Sequence, residues 1–193
     1  LNKKGLLINF IISLVLSILV FYLSSNQHIW SSFWQSLSIP PQAPFSDLKA
    51  HVYFFNCFEN GINIYKQKCN LIPLGGGTIS THPPIWLKII QVFNLNSEIN
   101  LKIFIFTSYV FYFLLFLNFF FIFKNIESKI FLLIFFFSTT NFILIERFST
   151  DLLIFIFVGL IIYFNSKLIK ASIIFVISLL KFYPIFLVSI FID

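Results

Sequence analysis

Long apolar runs, rather than a regular alternation of apolar and polar residues, dominate the chain. A membrane-spanning helix needs about 20 mostly apolar residues, because the hydrocarbon core of a bilayer is about 30 Å thick. Continuous runs also argue against a transmembrane β-barrel, whose strands alternate. The runs that meet or approach this length predict five spans, Gly5–Leu23, Ile103–Phe123, Ile130–Ile145, Leu152–Phe164 and Ala171–Ile192.

The third and fourth predicted spans are short for a complete crossing. They form either a hairpin that draws residues 146–151 into the membrane interface or a re-entrant pair, and the hairpin is the preferred interpretation. The first run also resembles a signal peptide, because Lys3 and Lys4 precede it. It is longer than the apolar core of about 7–15 residues in such peptides, and Tyr22–Asn26 is a poor cleavage site. We therefore expect an uncleaved anchor.

The composition agrees with a membrane protein, since 59% of the residues are hydrophobic and 10% are charged. Soluble domains contain about 45–50% apolar and about 25% charged residues, so a soluble globule is excluded. The 30 phenylalanines are explained by AT-rich codons better than by an aromatic binding site. The net charge of +6 comes from basic residues scattered singly between apolar runs. These basic residues are therefore interpreted as determinants of membrane topology and as contacts to lipid headgroups, and no nucleic acid partner is predicted.

The short loops between the spans predict the orientation of the chain. With the N-terminus in the cytoplasm, the segments on that side carry six lysines and one acid, Glu127, as the positive-inside rule favours. Ser24–Lys102 then forms a long extracytoplasmic loop. The six lysines are Lys3, Lys4, Lys124, Lys129, Lys167 and Lys170.

The long outer loop is the least apolar part of the chain, and it is expected to contain short interfacial helices. Ile29–Leu37 carries two tryptophans at helical spacing, and Asp47–Asn60 and Ile85–Phe93 have helix-like apolar patterns. The whole chain, 1–193, is interpreted as one transmembrane domain. We expect it to be a piece of a longer protein, because it contains no methionine and ends directly after an apolar run.

The two cysteines, Cys57 and Cys69, both lie in the predicted outer loop. Disulfides form on the oxidising side of a membrane, so a Cys57–Cys69 disulfide is predicted, with two unpaired thiols as the alternative. Two cysteines with only distant histidines make a poor zinc site, and no metal site is predicted.

Charged residues are expensive in the membrane, at about 2.5–3.5 kcal/mol near the centre of a span, so they are candidates for function. Lys181 lies near the middle of the fifth predicted span and is followed by Tyr183 and Pro184. Each candidate also has a structural interpretation, such as a helix cap for Asp47 or a turn residue for His82. The predicted outer side collects Asp47, His51, His82, Glu146, Arg147 and Asp151.

Five short motifs, in this order and spacing, resemble those of the GT-C glycosyltransferases, and most closely glycosyltransferase family 87, a bacterial mannosyltransferase-like group. The chain departs from the family pattern at His82, where an aromatic residue is usual, and at Phe148–Ser149, where Gly-Asn is usual. The motifs are Phe45–Leu48, Asn60–Tyr65, Thr81–Trp86, Glu146–Leu153 and Lys181–Pro184.

The resemblance implies an all-α, GT-C-like membrane protein of the bacterial inner membrane that transfers a sugar from a polyprenyl phosphate to a hydroxyl of a lipid or glycan. Asp47 is then the catalytic base. The leaving phosphate requires positive charge, which the resemblance assigns to Arg147, Lys181 and His82. No cofactor is assigned, and a divalent cation stays an open alternative. Supporting roles fall to Glu146, Asp151 and Tyr183.

Two other functions fit the same sequence. A transporter or flippase subunit would use Lys181 and residues 146–151 as a translocation path, although the first two spans are almost unbroken and no repeat is visible. A non-catalytic membrane assembly protein would need no aspartate in an external loop and would tolerate leucine at position 181.

Overall fold

The computed structural model describes residues 3–39, 42–69, 80, 83–161, 164 and 166–181. Within these residues the chain forms nine α-helices, as expected for an all-helical protein. The helices are α1 (Lys3–Ser24), α2 (Gln27–Ser36), α3 (Ser46–Glu59), α4 (Ile85–Phe93), α5 (Glu98–Ile122), α6 (Ile126–Phe136), α7 (Thr139–Arg147), α8 (Thr150–Ile161) and α9 (Lys167–Leu180).

Two helices are long and apolar enough to cross a membrane, α1 over Lys4–Ser24 and α5 over Glu98–Ile122. They coincide with the first two predicted spans. The third predicted span is divided into α6 and α7, which are bent by 52° and together form a broken span or a re-entrant loop. The described residues therefore form an all-helical structure with two or three candidate spans, consistent with a helical membrane protein, and the count of five stays a prediction.

The break between α6 and α7 follows from local capping. Ser138 is the N-cap of α7, and its hydroxyl accepts a hydrogen bond from the Asn141 backbone N–H. The side chain of Asn141 donates to the carbonyl of Phe136, the last residue of α6, at 2.9 Å. These side chains form hydrogen bonds with a backbone N–H group and a carbonyl group that have no helical partner at the break.

The described residues cover the last two predicted spans only in part. Helix α8 has 12 residues. Helix α9 covers the first part of the fifth predicted span and ends at Leu180, and the residues after Lys181 lie outside the described range. Lys181, which was predicted near the middle of the fifth span, is not helical but extended, with φ −150° and ψ 138°. Pro184 supplies a reason, since its ring clashes with the carbonyl four residues earlier in a helix.

The chain divides into two compact units, unit 1 with Leu1–Ser46 and Ile103–Ile156, and unit 2 with Asp47–Lys102 and Phe157–Asp193. In unit 1, a polar stripe on α1 faces inward. The buried Asn9 amide donates a 2.8 Å hydrogen bond to the Asn118 side chain of α5. Ser13 and Ser17 continue the stripe, and their hydroxyls donate hydrogen bonds to backbone carbonyls of α1.

In unit 2, α3 and α4 pack through a stacked aromatic pair and a disulfide-centred cluster. The ring of His51 lies 4.3 Å from that of Trp86. Cys57 and Cys69 form a disulfide, and their Cα atoms are 6.0 Å apart. Helix α4 also packs against α9. The cluster contains Phe54, Cys57, Ile64 and Cys69, with Ile62 and Leu87 against it.

Candidate functional site in unit 1

The C-terminal turn of α7 carries Glu146 and Arg147, an acidic and a basic residue that were predicted to belong to the donor site. Helix α7 ends at Arg147, and Phe148 follows it in the left-handed conformation, with φ 52° and ψ 56°. Glycine is the usual residue at such a helix end, because a Cβ atom costs energy there. The tight turn after Arg147 therefore forms although phenylalanine replaces the glycine of the resembled motif.

Aromatic packing holds Phe148 in this conformation. Its side chain is buried, and its ring lies 5.4 Å from that of Tyr109 and 6.1 Å from that of Phe104. The Tyr109 hydroxyl donates a hydrogen bond to the carbonyl of Ile145, one turn before the end of α7. Helix α5 thus fixes both the end of α7 and the residue that terminates it.

Glu146 connects the end of α7 to the segment that precedes α3. Its side chain is completely buried, and its Oε1 atom accepts a 2.8 Å hydrogen bond from the Gln42 backbone N–H. Its main-chain carbonyl accepts a second hydrogen bond, at 3.3 Å, from the Phe45 N–H. Ser46, the first residue of α3, donates through its hydroxyl to the Gln42 side chain at 2.9 Å. A single residue therefore anchors residues 42–46 to α7.

Phe45 shows the same combination of left-handed backbone and buried ring as Phe148. Its φ is 60°, and its ring lies 5.6 Å from that of Trp30 and 6.1 Å from that of Tyr109. Tyr109 consequently contacts both turns, one before α3 and one after α7. Each buried ring offsets the cost of the unfavourable backbone conformation, which is about 1–3 kcal/mol.

Arg147 is only loosely paired with its neighbour. Its Nε atom lies 3.4 Å from Oε2 of Glu146, and neither atom has a hydrogen-bond partner among the described residues. The indole N–H of Trp30 is likewise buried and has no hydrogen-bond partner among the described residues. The Arg147 side chain, which ends in a guanidinium group, is 29% exposed, although its Nε atom is buried. Such a group binds a phosphate through two parallel N–H bonds.

The remaining predicted site residues are distributed over the chain. Asp151 lies in the first turn of α8, and its backbone N–H donates to the Ser149 hydroxyl at 3.4 Å. Asp47 is the second residue of α3 and not its N-cap, because the helix begins at Ser46. An acid in the first turn favours the helix through its dipole. His82 and Tyr183 lie outside the described residues.

The structure brings Glu146 and Arg147 together within unit 1, which also contains Asp151. Asp47 and Lys181 belong to unit 2, and Lys181 is half-buried at the end of α9. Among the described residues, no three His, Cys, Asp or Glu side chains converge as a metal site would require. The open alternative of a divalent cation thus has no candidate ligand set in that part of the chain.

Sequence reasoning missed the residues that surround this pair. Gln42 acts through its backbone, which no side-chain pattern can indicate. Trp30 was assigned to an interfacial helix, and the burial of its ring against Phe45 was not predicted. Tyr109 did carry a signal, because it and Tyr112 place hydroxyls inside an otherwise apolar run, and both hydroxyls donate to α7.

No protein family, curated protein or solved structure matches the chain. The resemblance to the GT-C glycosyltransferases therefore depends on the five short motifs alone.

Proposed function

We propose that the protein is a membrane-embedded glycosyltransferase of the GT-C type that uses a polyprenyl-phosphate sugar as donor. The observation that carries the proposal is the Glu146–Arg147 pair at the end of a broken apolar helix. Ionisable residues in such segments are costly, and they commonly mark functional sites. A partly exposed arginine suits a phosphate ligand.

The proposed reaction exchanges one bond at the anomeric carbon of the sugar. A hydroxyl oxygen of the lipid or glycan acceptor forms a bond to this carbon, and the bond from the carbon to the donor phosphate oxygen breaks. The phosphate leaves with the bonding electron pair, and the polyprenyl phosphate carries one more negative charge than before. Arg147 stabilises this charge, since preorganised donors act most strongly where charge develops.

Asp47 accepts the proton of the attacking hydroxyl, which is a weak nucleophile while it remains protonated. This role comes from the resemblance of Phe45–Leu48 to the family motif. Asp47 lies in the first turn of α3. Lys181 and His82 are proposed to add positive charge around the donor phosphate.

The experiment uses the protein expressed in full in bacterial membranes and supplied with a radiolabelled mannosyl polyprenyl phosphate and membrane acceptors. We expect label to move from the donor to a new lipid or glycan product. Asp47→Asn keeps the size of the side chain and removes the base, so transfer should fall by at least about 100-fold. Lys124→Gln, an exposed residue in the loop after α5, is the matched control and should leave transfer unchanged.

The amount of each variant in the membrane is measured with an epitope tag, so that transfer is expressed per molecule. Unchanged transfer by Asp47→Asn would remove the assigned base. A wild-type protein that transfers no sugar from any polyprenyl phosphate in a panel of hexoses would overturn the proposed function itself.

A further inference from the structure

Helix α2 has three kinds of surface, and only one of them faces the protein. Trp30 and Trp34 are buried, at 0% and 3% exposure, and pack against residues of unit 1. A second apolar row, Ile29, Phe33 and Leu37, is 37–38% exposed. The two rows are about 100° apart on a helical projection, so they form one broad apolar face, half covered and half open.

The other half of α2 is polar and exposed but carries no Lys, Arg, Asp or Glu. This division into an apolar and a polar half is typical of helices that lie at the surface of a bilayer. A polar half that faced a protein partner would need hydrogen-bond partners, whereas water supplies them at a membrane surface. The polar residues are Gln27, His28, Ser31, Ser32, Gln35 and Ser36.

The position of α2 along the chain places its start at the end of a span. The candidate span Lys4–Ser24 has 21 residues, which at about 1.5 Å per residue just crosses the hydrocarbon core. Only Ser25 and Asn26 separate α1 from α2. Asn26 caps α2 by accepting hydrogen bonds from the N–H groups of His28 and Ile29, so the new helix begins immediately.

The open apolar row of α2 continues the apolar surface of α1. Most of the α1 span is exposed in the structure, since 17% of its window is buried, and Tyr22 is exposed in its last turn. Tyrosine is enriched where a span meets the headgroups. Both helices belong to unit 1 and pack against each other.

We propose that α2 lies in the plane of the membrane interface, with Ile29, Phe33 and Leu37 among the lipid acyl chains and its polar half in water. Its covered row contacts the candidate site, since the Trp30 ring lies 5.6 Å from Phe45 and the Trp34 ring lies 6.3 Å from Phe142 of α7. The interface helix therefore contacts both α7 and the turn that precedes α3. This inference is independent of the catalytic proposal.

The test uses nitroxide side chains in the purified full protein, reconstituted in vesicles of phosphatidylethanolamine and phosphatidylglycerol. Cys57 and Cys69 are joined in the disulfide, so labelling without reductant is directed to an introduced cysteine. Phe33→Cys reports on the open apolar row, and Ser32→Cys, its neighbour on the polar half, is the matched control. Ile11→Cys, an exposed position near the middle of α1, gives the depth of the hydrocarbon core.

Electron paramagnetic resonance measures collisions with oxygen, which concentrates in the bilayer, and with a water-soluble nickel chelate. We expect the oxygen-to-nickel ratio at Phe33→Cys to exceed that at Ser32→Cys several-fold and to stay below that at Ile11→Cys. A ratio equal to that at Ser32→Cys would overturn the inference, because the row would then face water. Protection of position 33 from both reagents would also overturn it, because protein would then cover the row.

Ile29→Cys repeats the measurement one turn earlier, in case the Phe33 variant does not fold. Because the readout is depth and not sugar transfer, a negative result here leaves the proposed function standing. A protein that lacks transferase activity leaves the placement of α2 standing in turn.

Discussion

The backbone N–H of Gln42 donates a 2.8 Å hydrogen bond to the buried carboxylate of Glu146, 104 residues further along the chain. This bond joins the segment before α3 to the end of α7. Together with the hydrogen bond from the Phe45 N–H to the Glu146 carbonyl, it makes Glu146 the anchor of residues 42–46. The sequence interpretation gave Glu146 a supporting role in the donor site, and its shorter contact is with Gln42 rather than with Arg147.

Glu146 is predicted to be needed for stability through its acceptor atoms. Glu146→Leu leaves the Gln42 N–H without a partner, which costs about 1–3 kcal/mol. Glu146→Gln keeps an acceptor oxygen and should cost less. Thermal unfolding in detergent should therefore rank wild type above Glu146→Gln and Glu146→Gln above Glu146→Leu. Equal midpoints for the two variants would show that the hydrogen bond to Gln42 does not form.

The left-handed turn at Phe148 predicts an unusual order of stability. Phe148→Gly relieves the backbone strain but removes a buried ring, and the loss of a buried phenylalanine side chain costs about 3–5 kcal/mol. Phe148→Ala loses the ring and keeps a strained Cβ atom, which costs about 1–2 kcal/mol more than glycine. Both variants should unfold at lower temperature than wild type, with Phe148→Ala lowest. A more stable alanine variant would contradict the left-handed conformation.

The Asn9–Asn118 hydrogen bond between α1 and α5 should show measurable coupling. Side-chain hydrogen bonds between membrane helices contribute about 0.6–2 kcal/mol. In a double-mutant cycle with Asn9→Leu and Asn118→Leu, unfolding in mixed detergent micelles should give a coupling free energy in that range. Ile18→Leu, an exposed position on α1, serves as the control. If the two leucine substitutions changed the free energy of unfolding additively, the side chains of Asn9 and Asn118 would not interact.

The Cys57–Cys69 disulfide should stabilise unit 2. Closing a loop of this size contributes about 2–4 kcal/mol. Replacing both cysteines by alanine should make α3 and the following segment more sensitive to a protease, while the α1 and α5 spans stay intact. Without reductant, a maleimide reagent should label the unfolded wild-type protein very little. Full labelling before reduction would show two free thiols instead.

The long spans were predictable because their apolar runs exceed the thickness of the bilayer. The first prediction, Gly5–Leu23, agrees with α1 to within two residues at its start and one at its end, and Ile85–Phe93 was predicted with the observed bounds of α4. The break before α7 was missed, because Ser138 is a single polar residue in a long apolar run and its capping role depends on the backbone.

The candidate site was predictable in its charges and not in its geometry. Glu146 and Arg147 stand out as ionisable residues beside apolar helices. The left-handed conformation of Phe45 and Phe148 has no sequence signature, since phenylalanine normally avoids it. It depends on packing against Tyr109, a contact between segments far apart in the chain. Long-range contacts of this kind cannot be read from local patterns.

The most direct test of the central claim is the dependence of sugar transfer on the charge and shape of residue 147. With saturating acceptor and the protein expressed in full, Arg147→Gln should lower transfer per molecule by about 100-fold or more, because the leaving phosphate loses its stabilising donor. Arg147→Lys keeps the positive charge but lacks the planar guanidinium group, so its transfer should lie between that of wild type and that of Arg147→Gln. Transfer by Arg147→Gln equal to that of wild type and of the Lys124→Gln control would contradict the assignment of Arg147 to the donor phosphate.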